Sequence, residues 1–322
     1  MADRTILVLR AGPHGMPTSE YGEEIRERRP DDDVVVARTR SEEFERVADA
    51  EVVTGGEIDR ELLANADSLR LFAGLAAGYE HLPLVTLEER GVAVTNASGV
   101  HAPNIAEQVL GHLLVFARRI DEGWRRQRER RWDHYLAGEL KGSTVTVVGL
   151  GAIGTAVVER LGPFGVDTIG VRYTPSKGGP TDEVVGFEGP AFESALARTD
   201  YLVLACPLTE ETEGLIDEEA FATLPPSSVL VNVARGGVVE TDALCEAVRD
   251  SHIAGAALDV TDPEPLPADN PLWGFENVHI TPHMAGATPR YYERRADILA
   301  RNLETVDETG EYDDLENLVA GP

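Results

Sequence analysis

Lysine is nearly missing from this chain: Lys141 and Lys177 are the only two, so arginine supplies the other 27 of its 29 cations. Basic charge of either kind is scarce beside 57 acidic residues, and the net charge is −28. A field of that sign repels nucleic acid, so no nucleic-acid partner is expected. A basic ligand would suit it, but the plainer reading is a solvated acidic surface in a salt-rich cytoplasm, where ions screen self-repulsion. That reading implies a halophilic source. Cysteine is equally scarce. With only Cys206 and Cys245, no disulfide scaffold or multi-cysteine metal site can be built, and no His/Cys cluster has zinc-ligand spacing. No apolar run follows the opening Met-Ala-Asp-Arg, so no signal peptide is expected. The richest apolar stretch, 145–158, is broken by three glycines and is too short to span a bilayer. The composition reads as a cytoplasmic protein without a membrane partner.

What is present is alternation. The length of 322 residues suits about two domains. Strand-like runs at 5–10, 34–37, 52–54, 69–72 and 92–95 are separated by helix-like stretches such as 42–48 and 59–66, which implies a parallel sheet. Ile105, Val109, Leu113, Phe116 and Ile120 then recur at helical spacing. They lead into a basic segment between Trp124 and Trp132, read as a solvated or interfacial helix face rather than a nucleic-acid patch. Six further strand candidates follow at 144–148, 166–171, 201–205, 228–233, 254–258 and 278–280, the spacing of a six-stranded doubly wound sheet. Residues 291–305 look helical, and the acidic last dozen are expected to pack weakly.

The strand at 144–148 runs into Gly149-Leu150-Gly151-Ala152-Ile153-Gly154 and a helix-like stretch from Thr155. This is G-x-G-x-x-G in the strand–turn–helix setting that a dinucleotide needs. Gly149 permits the tight turn, Gly151 lets backbone approach a pyrophosphate, and Gly154 lets helix and strand pack closely. The helix start offers free N–H groups to the phosphates. An NAD-preferring site usually carries an acid about twenty residues on, bonded to the ribose hydroxyls. Arg172 stands there instead, followed by Tyr173, Thr174, Ser176 and Lys177. A guanidinium pairs with a 2′-phosphate but cannot accept a hydroxyl hydrogen, so NADP is the expected cofactor, with NAD tolerated. The bland alternative is a loop arginine in an arginine-rich chain.

Three late segments end in chemistry: Asn232-Val233-Ala234-Arg235, Asp259 through Glu264, and Thr281-Pro282-His283. Open α/β sheets bind ligands at strand carboxyl ends. Arginine can pair with a carboxylate and polarise the adjacent carbonyl. Histidine can donate a proton as hydride arrives at carbon, and a carboxylate on its other nitrogen fixes the tautomer and favours the protonated form. That set answers the needs of 2-oxo acid reduction.

The ordered motifs Thr199-Asp-Tyr-Leu, Pro207-Leu-Thr, NVARGG, AALDV, PEPLP, NPLW and TPHMAG resemble the D-isomer-specific 2-hydroxyacid dehydrogenase family over nearly the whole length. The resemblance implies two Rossmann-like doubly wound parallel-sheet domains with a cleft between them. Residues 1–98 with 288–322 would bind substrate and 99–287 the dinucleotide. It implies that Arg235 binds substrate, Glu264 orients His283, and His283 is the acid/base. Asp259 would meet the nicotinamide amide, with Cys206, Pro207, Thr212, Val233, Ala234, His283 and Gly286 completing the cofactor contacts. Ala76, Ala77 and Gly78 fall where the family's carboxylate-binding glycine loop lies; here the usual G-V-G is altered, but backbone N–H donors survive. A homodimer is the family expectation.

Each residue has a duller reading: Arg235 an ion-pair arginine, Glu264 solvated in its proline-rich loop, Asp259 a cap, Cys206 pocket lining. His14, His81, His101, His112, His134, His252 and His279 are read as surface or packing residues, with His81 and His101 the nearest to the expected cleft. Phosphoglycerate dehydrogenases usually add a regulatory domain for which this chain has no room, and formate dehydrogenases carry glutamine where Glu264 stands. The rival from another class is a nucleotide-sensing corepressor-like protein of the same fold, which keeps the catalytic residues and differs in lacking turnover.

Overall fold

The computed structural model describes residues 4–12, 15–79 and 81–322; His14 lies outside them. The chain forms two compact units, Met1–Val100 with Thr288–Pro322, and His101–Ala287. The first unit alternates β1 (Thr5–Val8), α1 (Thr18–Arg28), β2 (Asp33–Val36), α2 (Arg40–Val47), β3 (Val52–Gly55), α3 (Arg60–Ala64), β4 (Leu71–Gly74), α4 (Leu84–Glu89) and β5 (Ala93–Thr95). The second opens on α5 (Ala102–Arg118) and α6 (Ile120–Arg128). It continues through β6 (Thr144–Val148), α7 (Ala152–Leu161), β7 (Asp167–Val171), β8 (Glu183–Val185), α8 (Pro190–Leu196) and β9 (Tyr201–Leu204). Then come α9 (Glu218–Thr223), β10 (Val229–Asn232), α10 (Thr241–Arg249), β11 (Gly255–Leu258) and β12 (Val278–Ile280). The chain returns to the first unit in α11 (Tyr291–Thr309) and β13 (Leu318–Ala320).

The first sheet has the order β13-β5-β4-β3-β1-β2, and its β1 to β5 pair in parallel. Helices cover both faces, so β3 and β4 are buried throughout and read as unbroken small and apolar runs. On α11, Tyr292, Ala296, Leu299, Leu303 and Val306 recur every three or four residues and bury one face against this sheet's core. Thr39 and Asp59 cap α2 and α3 by accepting from Glu42 N and Leu62 N.

The second sheet is parallel, in the order β12-β11-β10-β9-β6-β7-β8. The order in which strands are added reverses between β6 and β9, which pair in parallel, and at that switch point the connections after the two strands leave in opposite directions. The sheet has seven strands, not the six expected; β8 is only three residues long, too short for a periodic signal.

The acidic end is also a correction. It does not pack weakly: β13 pairs antiparallel with β5, and Leu315 and Ala320 are buried. Three arginines of the basic segment are paired locally. Arg125 pairs with Glu122, Glu129 and Glu276, Arg126 with Glu122, and Arg131 with Glu129 and Asp133. Hydrogen bonds from Arg125 and Arg126 hold the Glu122 carboxyl down to about 2. Among the described residues, no helix is long and apolar enough to cross a membrane.

Candidate active site

The turn after β6 shows which glycines the fold needs and which it leaves open. Gly149 has φ +97°, and a Cβ there would fall 2.7 Å from the Cys206 backbone. A Cβ on Gly154 would fall 1.9 Å from the Gly149 carbonyl oxygen. Both positions are closed to any side chain by the protein itself. Gly151 differs: a Cβ there would meet nothing within 4 Å. It is the N-cap of α7 and supplies no side-chain cap, so the first N–H groups at Ala152 and Ile153 face open space. A pyrophosphate fits that combination of open backbone and uncapped helix start.

At the end of β7, Arg172 is half-buried, and its Nη1 donates to the Gly178 carbonyl at 2.6 Å. It thus braces the loop carrying Tyr173 and Thr174 as well as presenting its remaining N–H groups. Across the switch point, burial pushes the Cys206 thiol up to about 11, so no thiolate forms near neutral pH. Thr212 is buried, with its Oγ1 donating to the Pro207 carbonyl and accepting from Thr209 N, which closes the loop after β9.

The carboxyl ends of β10, β11 and β12 bring the remaining groups together. Asn232 braces the first loop: its Nδ2 donates to the Arg235 carbonyl and its Oδ1 accepts from Ala234 N. Val233 and Ala234 are buried, while the Arg235 side chain is exposed with Nη1 on the Ala234 carbonyl at 2.7 Å. A Cβ on Gly236 would fall 2.0 Å from the Thr261 carbonyl oxygen, so glycine there seats this loop against the one bearing Glu264. Glu264 Oε1 accepts from Thr261 N at 3.0 Å, and Oε2 lies 2.9 Å from His283 Nδ1. His283 itself has φ +48°, an uncommon conformation that its surroundings must impose.

Asp259 does the imposing. Its backbone carbonyl accepts from His283 N at 2.7 Å. Its buried Oδ1 accepts from Thr281 Oγ1, Met284 N and Gln108 Nε2 at 2.5, 3.0 and 3.2 Å, and Oδ2 accepts from Ala285 N at 2.8 Å. The turn around His283 is thus wrapped on one carboxylate.

A stripe on α5 completes the wrapping: His101 Nδ1 meets the Gly286 carbonyl, Asn104 Nδ2 the Ala285 carbonyl, and Gln108 Nε2 both Asp259 and Thr281 Oγ1. Sequence reasoning missed Asn104, Gln108 and Asn232. The signal existed, because His101, Asn104 and Gln108 form a polar row at i, i+3 and i+7 beside the helix's apolar one. Gln108→Met removes two donors and is expected to cost about 2 kcal/mol of stability. The check is the urea midpoint at unchanged m; an unshifted midpoint would reduce the pair of contacts to surface geometry.

The other histidines take quieter places. His279 stacks on Phe116 and lies beside His112, and burial holds both histidines below the ordinary imidazole range. His81 Nε2 meets the Gly56 carbonyl. In the first unit, Ala76, Ala77 and Gly78 follow β4 and are exposed. The Ala76 and Ala77 carbonyls are tied back by Ala97 N and Asn96 Nδ2, whereas the N–H groups of residues 76–78 donate to no described residue.

The chain is similar to known proteins. Residues 110–285 match the family model described as the NAD binding domain of D-isomer specific 2-hydroxyacid dehydrogenase. The glyoxylate reductase of Thermofilum pendens is 37% identical over 257 residues, 78% of this chain and 75% of that protein. A D-isomer specific 2-hydroxyacid dehydrogenase from Xanthobacter autotrophicus, solved with NADPH and MES, superposes with a TM-score of 0.77 at 31% identity, covering 98% of each chain. The NADPH-dependent glyoxylate/hydroxypyruvate reductase of Sinorhizobium meliloti does so at 0.70 and 27% identity, again over 98% of each. The chain belongs to the D-isomer specific 2-hydroxyacid dehydrogenase family, as an NAD(P)-dependent oxidoreductase acting on the CH–OH group of 2-hydroxy acids.

Proposed function

We propose that this chain reduces small 2-oxo acids to D-2-hydroxy acids, with His283 as acid and base and NADPH preferred over NADH. The observation that carries the reading is the 2.9 Å approach of Glu264 Oε2 to His283 Nδ1 at the carboxyl edge of the second sheet. A carboxylate only accepts, so Nδ1 keeps its hydrogen and Nε2 is left for the substrate oxygen. In reduction, His283 gives a proton from Nε2 to the oxo oxygen; in the reverse direction it takes that proton back. Arg235 pairs with the substrate carboxylate and draws charge onto the oxo oxygen, and the N–H groups of Ala76, Ala77 and Gly78, which donate to no described residue, serve the carboxylate too.

A nicotinamide bound there would supply the hydride that C2 receives. Gly149 to Gly154 would hold its pyrophosphate, and Cys206, Pro207, Thr212, Val233, Ala234 and Gly286 would line the rest of its site. Asp259 Oδ2 takes one donor from the chain and keeps acceptor capacity for the nicotinamide amide. Arg172, with Tyr173 and Thr174, would meet the adenosine 2′-phosphate through the N–H groups that the Gly178 carbonyl leaves over. Arg172→Asp is accordingly expected to lower the NADPH-to-NADH ratio of kcat/KM by about tenfold or more. An unchanged ratio would leave Arg172 as a brace for its loop.

The reading as a whole is tested by initial rates of NADPH and NADH oxidation with acids from glyoxylate to branched 2-oxo acids, at low and high salt. Turnover with at least one acid is expected. Background rates with all of them, by folded protein that binds the cofactor, would remove the reading as a reductase of small 2-oxo acids.

A further inference from the structure

Helix α11 sends Arg295 into the core of the first unit, where it is 0% exposed. Its Nε donates to the Gly74 carbonyl at 2.9 Å, while Nη1 and Nη2 are buried with no hydrogen-bond partner. No carboxylate among the described residues pairs with it. Around it in the same core stand Tyr21, Tyr291 and Tyr292. Burial pushes all three hydroxyls up, that of Tyr292 to about 12, so they stay neutral near pH 7 and offer no countercharge. A guanidinium cannot shed its proton to escape. Among the described residues nothing compensates this interior positive charge, one of the costliest arrangements a fold can keep.

The one hydrogen bond that the Arg295 side chain makes among the described residues shows where its charge is felt. Gly74 ends β4, and its carbonyl leads directly into Leu75-Ala76-Ala77-Gly78, whose last three N–H groups donate to no described residue. Four residues of chain reach at most about 14 Å, which bounds the distance of these donors from the Gly74 carbonyl that Arg295 holds. A buried charge acts through a low-dielectric interior that salt does not enter. Exposed arginines act through solvent, where the Debye length at 1 M salt is about 3 Å.

We propose that Arg295 is a buried electrostatic anchor that raises the affinity of the 76–78 loop for a carboxylate, making it a specificity-determining residue for anionic substrates. The inference rests on the assignment of that loop to the substrate carboxylate. Unit charges about 10 Å apart at an effective dielectric of about 20 correspond to an effect on the order of tenfold in affinity.

The test is steady-state kinetics of Arg295→Met at 1 M salt beside its thermal midpoint. The KM for the 2-oxo acid is expected to rise about tenfold, with kcat and NADPH affinity unchanged, because the charge acts on bound anion before and during the reaction alike. The thermal midpoint is expected to hold or rise, since an unpaired buried charge is gone. A structural arginine gives the reverse, a lower midpoint at unchanged KM, and that result overturns the proposal. Arg295→Gln keeps a donor for the Gly74 carbonyl without the charge and serves if the Met variant does not fold. It is expected to show the same rise in KM, and a wild-type KM in that variant also overturns the proposal. His283→Ala, measured alongside, separates the two levels. Full turnover there sinks the site reading itself, whereas lost turnover there with normal KM at Arg295→Met sinks only this inference.

Discussion

His283→Ala is expected to lower kcat by about 10²–10⁴ while NADPH affinity stays within about threefold of the wild type. The size follows from what a positioned acid contributes to a proton transfer in the transition state. The selectivity follows from the geometry. The ring is half exposed and meets the protein through Glu264 Oε2, whereas the backbone of the same turn is held by Asp259, Gln108 and Thr281. Removing the imidazole should therefore leave the turn in place. The position has a positive φ, which alanine tolerates less well than asparagine, so His283→Asn is the companion variant that separates chemistry from backbone strain. Both variants should lose turnover together. Retained turnover in either would move the acid elsewhere, and a parallel loss of cofactor affinity would mean that His283 holds the cofactor more than it serves the substrate.

Arg235→Met is expected to lower kcat/KM for a 2-oxo acid by about 10³, through both KM and kcat. The arginine is asked to do two things: hold the carboxylate in the ground state and stabilise charge growing on the oxo oxygen. Its backbone is secured independently, by Asn232 on its carbonyl and by the close seat of Gly236 on Thr261, so loss of the side chain should spare the fold. Arg235→Lys restores the charge without the planar fork and is expected to recover only about tenfold of the loss. Titrating both variants with 2-oxo acid at fixed NADPH reads the split. A change confined to KM would make Arg235 a binding residue alone, and recovery of full activity in the Lys variant would remove the argument from bidentate geometry.

The glycine turn and the three strand-end segments were legible in the sequence because their chemistry depends on residue type at fixed local spacing. Gly149 and Gly154 are sterically closed in the structure, and Gly151 is open, as the motif requires. The strands buried on both faces were visible for a similar reason, as short apolar runs at regular intervals. Pairing that depends on distant partners was not visible. β8 is three residues laid against β7, and β13 is drawn from an acidic tail that finds β5 more than two hundred residues away.

The same limit explains the supporting polar residues. Gln108 looks like an ordinary helix residue until Asp259, 151 positions later, turns out to share its amide. Arg295 looks like a surface cation in an arginine-rich helix, and only packing reveals that it is buried without a carboxylate partner among the described residues.

The most direct test is to incubate the protein with NADPH and a prochiral 2-oxo acid such as 2-oxobutyrate, and to resolve the product on a chiral column. One D-2-hydroxy acid is expected for each NADPH oxidised, with His283→Ala forming essentially none at the same protein concentration. An L-product, or NADPH oxidation without hydroxy acid, would contradict the account.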